Sequence, residues 1–153
     1  WTDMHRYREH PDNSLACIER LKKEGYRIVA TTPRADSVTP EDIPLNEPLA
    51  FCFGTELTGL SDVMMKHADI HLRIPMYGFT ESYNISVSAA LTLYTVMERL
   101  RASEIQWRLN PQQLIELKLS WARKVVQSAE LLEARIRREA DSESANVRSR
   151  DDQ

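Results

Sequence analysis

The chain has 153 residues, 42% of them apolar, with 20 Lys and Arg against 23 Asp and Glu and a net charge of −3 at pH 7. That length suits one domain of modest core with an appended helix, no apolar run is long enough to span a membrane, and the mild acidity argues against a uniformly basic nucleic-acid binder while leaving room for a local basic patch. Cys17 and Cys52 are too few and too far apart for a disulfide framework or a zinc site, so a reducing cytoplasm is the expected compartment.

Trp1 to Arg8 has no initiator Met and no apolar stretch of a signal peptide after it, so the start reads like the middle of a protein. Ser14 to Glu24 is predicted as a helix: Leu15, Ile18 and Leu21 recur at helical spacing, Asn13 or Ser14 can cap the start, and Gly25 ends it. Tyr26 to Thr31 follows as a strand, with Thr31-Thr32-Pro33 at its C-terminal edge. Arg34 to Pro48, with Pro40, Pro44 and Pro48 among acids, reads as an irregular crossover. Leu49 to Phe53 is a continuous apolar run, the mark of a strand buried on both faces. Ser61 can cap a short helix through Lys66, and Ile70 to Ile74 is the next strand. Strands alternating with helices imply a parallel sheet with right-handed crossovers.

A helix is predicted over Asn84 to Leu100, with Ile85, Ala89, Leu93, Val96 or Met97, and Leu100 as its buried stripe. Asn110-Pro111 opens a second long helix, since Asn caps well and Pro suits the first helical position. Its apolar stripe runs from Leu114 to Ile136, ending near Arg138. Residues 140–153 are polar and Ser-containing and are expected to be disordered.

Two segments carry the chemistry. Phe53-Gly54-Thr55-Glu56-Leu57-Thr58-Gly59-Leu60-Ser61 and Ile74-Pro75-Met76-Tyr77-Gly78-Phe79-Thr80-Glu81-Ser82-Tyr83-Asn84 each run from an apolar strand into a polar loop containing Gly. Open α/β sheets bind ligands at such strand ends. Gly54 and Gly59 permit close approach of backbone to a ligand. Glu56 between them either serves that ligand, caps the next helix, or pairs with an Arg. Ser82 and Asn84 likewise fit either a site or a helix cap. His67 and His71 have the i, i+4 spacing of metal ligands, but the helix breaks between them, and no metal is expected. Lys118, Arg123, Lys124 and the later Arg residues form either a solvated face or an RNA-backbone contact. Trp107 and Trp121 read as packing residues.

The two segments resemble the second and third motifs of the SpoU/TrmH branch of the SPOUT RNA methyltransferases, which move a methyl group from S-adenosylmethionine to a ribose 2′-hydroxyl of RNA. The resemblance covers nearly the whole chain. It implies an α/β, parallel-sheet SPOUT fold with a C-terminal trefoil knot, followed by a C-terminal helical extension: residues 1–102, 103–139 and a tail of 140–153. It also implies site roles. Thr31 and Pro33 flank the cofactor, Gly54, Glu56 and Gly59 form the second-motif loop, and Ile74, Met76 and Tyr83 enclose the adenine and its ribose. Ser82 and Asn84 stand near the reacting centre, with Glu56, Ser82 and Asn84 as the catalytic set and Asn84 also at the cofactor. Tyr83 stands where Leu is commonest in the family.

The family's first motif, an Asn followed by an Arg held to activate the ribose hydroxyl, has no counterpart here. The chain therefore reads as the C-terminal portion of a longer enzyme, expected to turn over little by itself. The long C-terminal helix points within the family to tRNA, with a D-loop guanosine as target and Lys118, Arg123 and Lys124 as RNA contacts. Relatives pair as homodimers through their knots, so a homodimer is implied. The alternatives are a non-catalytic fragment that binds cofactor or dimerises, and a ribosomal RNA 2′-O-methyltransferase.

Overall fold

The computed structural model describes residues 3–8, 11–34, 36–79 and 82–151, the side chains of 141–151 excepted. Helix α1 spans Asn13–Lys23. Its cap is Asp12, one residue before the predicted Asn13 or Ser14, with the carboxylate accepting from the Leu15 N–H at 2.9 Å. Gly25, at φ 88°, turns the chain into strand β1, Arg27–Thr31. Ile28, Val29 and Ala30 are fully buried at its centre.

Strand β2, Leu49–Cys52, and strand β3, Ile70–Leu72, lie parallel on either side of β1, giving the order β2-β1-β3. The fold class is thus α/β with a parallel sheet. β2 is one residue shorter than predicted and half-buried throughout, not closed in on both faces. The physical reason is its position: among the described strands only β1 pairs with it, so it forms an edge. Helix α2, Asp62–His67, sits between β2 and β3 and is capped by Ser61, as the sequence indicates. One carboxylate ties three of these elements together. Asp69, at the entry to β3, accepts from the Ile28 N–H at 2.8 Å and from Lys22 Nζ at 2.7 Å.

The crossover between β1 and β2 is irregular, as expected, yet firmly anchored. Val38 bridges to Leu72, and Ile43 is fully buried in a core with Val29, Ile70, Leu72 and Val96. Arg99 of helix α3, Ile85–Arg101, donates Nη1 to the carbonyls of Pro40 and Ile43 at 2.8 and 2.9 Å. α3 buries only part of the predicted stripe, at Val96. Thr92 and Val96 face the core, while Ile85 and Leu93 stay 42% and 49% exposed. The helix carries apolar residues on several faces, so periodicity alone fits more than one orientation.

The chain divides into two compact units, one of Asp3–Trp107 and one from Arg108 onward. In the second, helix α4, Pro111–Val125, begins with a reciprocal Asn110–Gln113 capping box. The single helix predicted to Arg138 is broken: Val126 ends α4, and Ser128 takes φ 59° before helix α5, Ala129–Asp151. A left-handed residue cannot continue a right-handed helix. The backbone of the tail expected to be disordered is helical through Asp151, and residues 152 and 153 lie outside the described residues. Ala, Glu and Arg in that stretch are good helix formers. No helix among the described residues is long and apolar enough to cross a membrane.

Candidate functional site

Because the three strands run parallel, their C-terminal ends emerge side by side, and each feeds a loop. Thr31-Thr32-Pro33 leaves β1, Phe53 to Gly59 leaves β2, and Ile74 to Met76 leaves β3. Together with Ser82, Tyr83, Ile85 and Ser88 they enclose a cleft of about 370 Å³. Two hydrogen bonds fix the floor. Thr31 Oγ1 donates to the Cys52 carbonyl at 2.9 Å, and the Thr32 N–H donates to the Leu72 carbonyl at 2.9 Å. Burial, and after it the nearby Cys17, pushes the Cys52 thiol up to about 11, so this side chain stays neutral beside the site.

The second-motif loop is tightly closed. Thr55 and Gly59 exchange both backbone hydrogen bonds, at 3.1 and 3.0 Å. Thr55 Oγ1 meets Thr58 Oγ1 at 2.7 Å and accepts from the Thr58 N–H. Gly59 adopts φ 68°, the left-handed region. Gly54 answers a different demand, since a Cβ there would lie 2.1 Å from the Gly59 carbonyl carbon. The loop folds back onto its own stem only because that Cβ is missing.

The open alternatives for Glu56 and Asn84 resolve into one contact. Asn84 Nδ2 donates to Glu56 Oε1 at 2.9 Å, while Asn84 Oδ1 accepts from the Ser86 N–H and so caps α3. Glu56 does not cap α2, a task taken by Ser61. Its carboxylate lines the cleft and is the one charged side chain among the described lining residues. Asn84 is not itself a lining residue. It orients Glu56 from behind and anchors the start of α3.

Of the residues expected at the cofactor, Thr31, Pro33, Gly54, Glu56, Gly59, Ile74, Met76 and Tyr83 line this one cleft, as does Ser82. Sequence reasoning missed Thr32, Phe53, Thr55, Leu57, Thr58, Leu72, Ile85 and Ser88. Most adjoin named residues. Ile85 and Ser88 were findable as neighbours one turn apart on the face of α3 that follows its Asn84 cap.

Lys118, Arg123 and Lys124 lie on α4, in the second unit. Lys118 is exposed. The Arg123 guanidinium is engaged by Glu133 through two bonds of 2.6 and 2.8 Å. The hydrogen bond and charge of Glu133 raise the Arg123 pKa, and the hydrogen bond from Arg123 holds Glu133 below the usual carboxylate range. His67 Nδ1 and His71 Nε2 each contact a carbonyl of α2, those of Val63 and Met65. Among the described residues no group of three His, Cys, Asp or Glu is gathered around a point.

The model of the SpoU rRNA Methylase family matches residues 3–94. The chain is 42% identical over 133 residues to a tRNA (guanosine(18)-2′-O)-methyltransferase of Borreliella burgdorferi, covering 87% of this chain and 59% of that protein. Among solved structures, the TrmH/SpoU tRNA modifying enzyme of A. aeolicus superposes with a TM-score of 0.64 at 28% identity, over 76% of this chain and 60% of that one. An AdoMet-bound rRNA methyltransferase from Sinorhizobium meliloti gives a TM-score of 0.52 at 26% identity, over 56% and 33%. The chain spans less than two thirds of the length of each of these relatives.

Proposed function

Because the chain belongs to the SpoU methylase family, we propose that it forms the cofactor-binding portion of an S-adenosylmethionine-dependent RNA ribose 2′-O-methyltransferase acting on a D-loop guanosine of tRNA. The observation that carries this reading is the convergence of three strand-end loops on one cleft with a single oriented carboxylate. The residues fit the cofactor chemically. Ile74, Met76 and Tyr83 offer apolar walls to an adenine, and Gly54 lets backbone come close. Glu56 sets a negative charge against a cationic methionine group. The bound cofactor supplies an electrophilic methyl group on a sulfonium. Glu56 holds that positive end in place, and Asn84 holds Glu56. Ser82 stands at the end of the third-motif loop, where an incoming ribose hydroxyl meets the cleft.

The finer architecture belongs to the same proposal. The third-motif loop threads as a trefoil knot, residues 1–102 act as the methyltransferase domain, and residues 103–139 form a helical extension with 140–153 as its tail. Lys118, Arg123 and Lys124 contact the tRNA backbone, Arg123 by exchanging Glu133 for phosphate. The chain works as a cytoplasmic homodimer through the knot region and α3, whose Val87, Leu91, Leu93 and Tyr94 are left exposed. Exposed apolar surface of that extent on one helix suits a partner.

A second reading is supported by the cleft itself: no guanidinium is among its described lining residues, which favours a module that binds cofactor without activating a hydroxyl. Calorimetric titration of S-adenosylmethionine, with methyl transfer to a tRNA transcript measured in parallel, separates the two. We expect binding in the micromolar range, about −8 kcal/mol. Transfer that is lost when the D-loop guanosine is replaced supports the enzyme; because this portion is expected to turn over little by itself, binding without transfer supports the module only in a chain that also carries the family's first motif. No binding at millimolar cofactor overturns both.

A further inference from the structure

We propose that Tyr77 and Phe79 form a stacking platform for unpaired bases of the RNA substrate at the mouth of the cleft. The proposal rests on the reading that this cleft serves methyl transfer to an RNA ribose. Ile74 and Met76 line the cleft, and the chain then turns outward. Tyr77, 96% exposed, and Phe79, fully exposed, come next and bury no ring surface within the chain. Between them Gly78 takes φ 142°, a backbone conformation that a side chain resists, so the separation of the two rings is set by a residue suited to that task. Leu57, a lining residue, is itself 97% exposed.

Large aromatic side chains are normally spent on burial, in cores or interfaces. Two bare rings at the rim of a ligand cleft are therefore surface held for a contact. An exposed charge that follows a lining residue in the chain adds to that chemistry. Arg34, exposed, follows the lining residue Pro33. Guanidinium groups suit phosphates, and aromatic faces suit bases of any identity. Exposed rings and the exposed Arg34 guanidinium, each following a lining residue in the chain, fit single-stranded nucleic acid; in the proposed homodimer the partner then packs on α3 and leaves Tyr77 and Phe79 free. Geometry points the same way. A ribose hydroxyl delivered into the cleft brings its own base and its neighbours past the mouth. Those bases must be splayed from a loop, because paired bases present no free face.

The test compares Tyr77→Ala and Phe79→Ala with Phe79→Leu and Phe79→Trp in the full chain. The probe is an unmodified tRNA transcript followed by fluorescence anisotropy, with S-adenosylmethionine affinity and solution mass measured on the same samples. We expect about a tenfold loss of tRNA affinity for each ring removed, no rescue by Leu, and rescue by Trp. Cofactor affinity and mass should not move. Rescue by Leu overturns the proposal, because an apolar plug would then suffice. Loss of affinity that follows a change in mass overturns it too, by assigning the rings to an interface between copies. Unchanged tRNA affinity, or no tRNA binding by the unsubstituted chain, does the same. The cofactor titration of the unsubstituted chain reports separately on the reading of the cleft.

Discussion

Replacing Gly54 by Ala tests the site at its most constrained point. The added Cβ would lie 2.1 Å from the Gly59 carbonyl carbon, 2.3 Å from the Leu60 nitrogen and 2.5 Å from the Gly59 oxygen. All three are backbone atoms, so no side chain can swing aside, and the loop must retreat by roughly 1 Å to restore ordinary contact. That movement breaks the paired Thr55–Gly59 hydrogen bonds and carries Glu56 away from Asn84. Overpacking of this kind costs about 2 kcal/mol. Charged to the bound state, that is a loss of roughly thirtyfold in cofactor affinity. The control is Gly59→Ala, where a Cβ meets nothing within 4 Å and the cost is only the left-handed backbone at φ 68°, about 1 kcal/mol. Calorimetry with S-adenosylmethionine, with thermal unfolding alongside, reads both. A folded Gly54→Ala chain that binds within twofold of the unsubstituted one, or a Gly59→Ala chain that binds worse than Gly54→Ala, would refute the reasoning.

Asn84 should split into two functions. Asn84→Ala loses both the cap of α3, costing about 1 kcal/mol of stability, and the bond to Glu56, whereas Asn84→Ser keeps a capping oxygen but has no amide to reach Glu56. Thermal unfolding should be restored by Ser while cofactor affinity stays reduced; Ser restoring both would show that the Glu56 contact is idle. Asp69 should govern acid stability. Burial opposes its ionisation, but hydrogen bonds from Lys22 and the Ile28 N–H, with the charges of Lys22 and Arg27, outweigh that and lower its pKa below the ordinary 3.8. A carboxylate with a depressed folded pKa stabilises above its unfolded value and loses that contribution as the pH falls through the folded one. Asp69→Asn should therefore cost about 1 kcal/mol near neutrality, a modest figure because the pair is partly solvated, and progressively less below pH 3.8. Urea denaturation across that range checks it, and a cost independent of pH would count against the ion pair.

The elements that could be read from sequence were those whose signal is local. α1 and α2 announce themselves through spacing and caps, Ser61 by the side chain that accepts from Met64 and Asp12 by one that sequence placed a residue too late. The centre of β1, from Ile28 to Ala30, is fully buried and reads as apolar. What escaped depends on neighbours that sequence does not show. The four residues of β2 are as apolar as a central strand, yet they lie at an edge, because strand order is a property of the assembled sheet. α3 offers apolar residues on several sides, and only the meeting of Val96 with Ile43 and Leu72 selects one. The break at Ser128 rests on one left-handed residue of a type that helices tolerate.

For the site the division runs differently. The loops were legible because their residues resemble two motifs of a known family, and the parallel sheet then brings their three strand ends together. The contact that organises them was not legible. Glu56 and Asn84 are 28 residues apart, and each had an adequate local explanation as a cap or an ion-pair partner. The structure gives Asn84 both tasks at once, since its oxygen serves α3 and its nitrogen serves Glu56. An amide carries its acceptor and its donors on two separate atoms, so it can join a helix start to the Glu56 loop; an ionised Asp has no donor, and a Ser hydroxyl has a single atom for both tasks. That double demand explains why an amide suits this position.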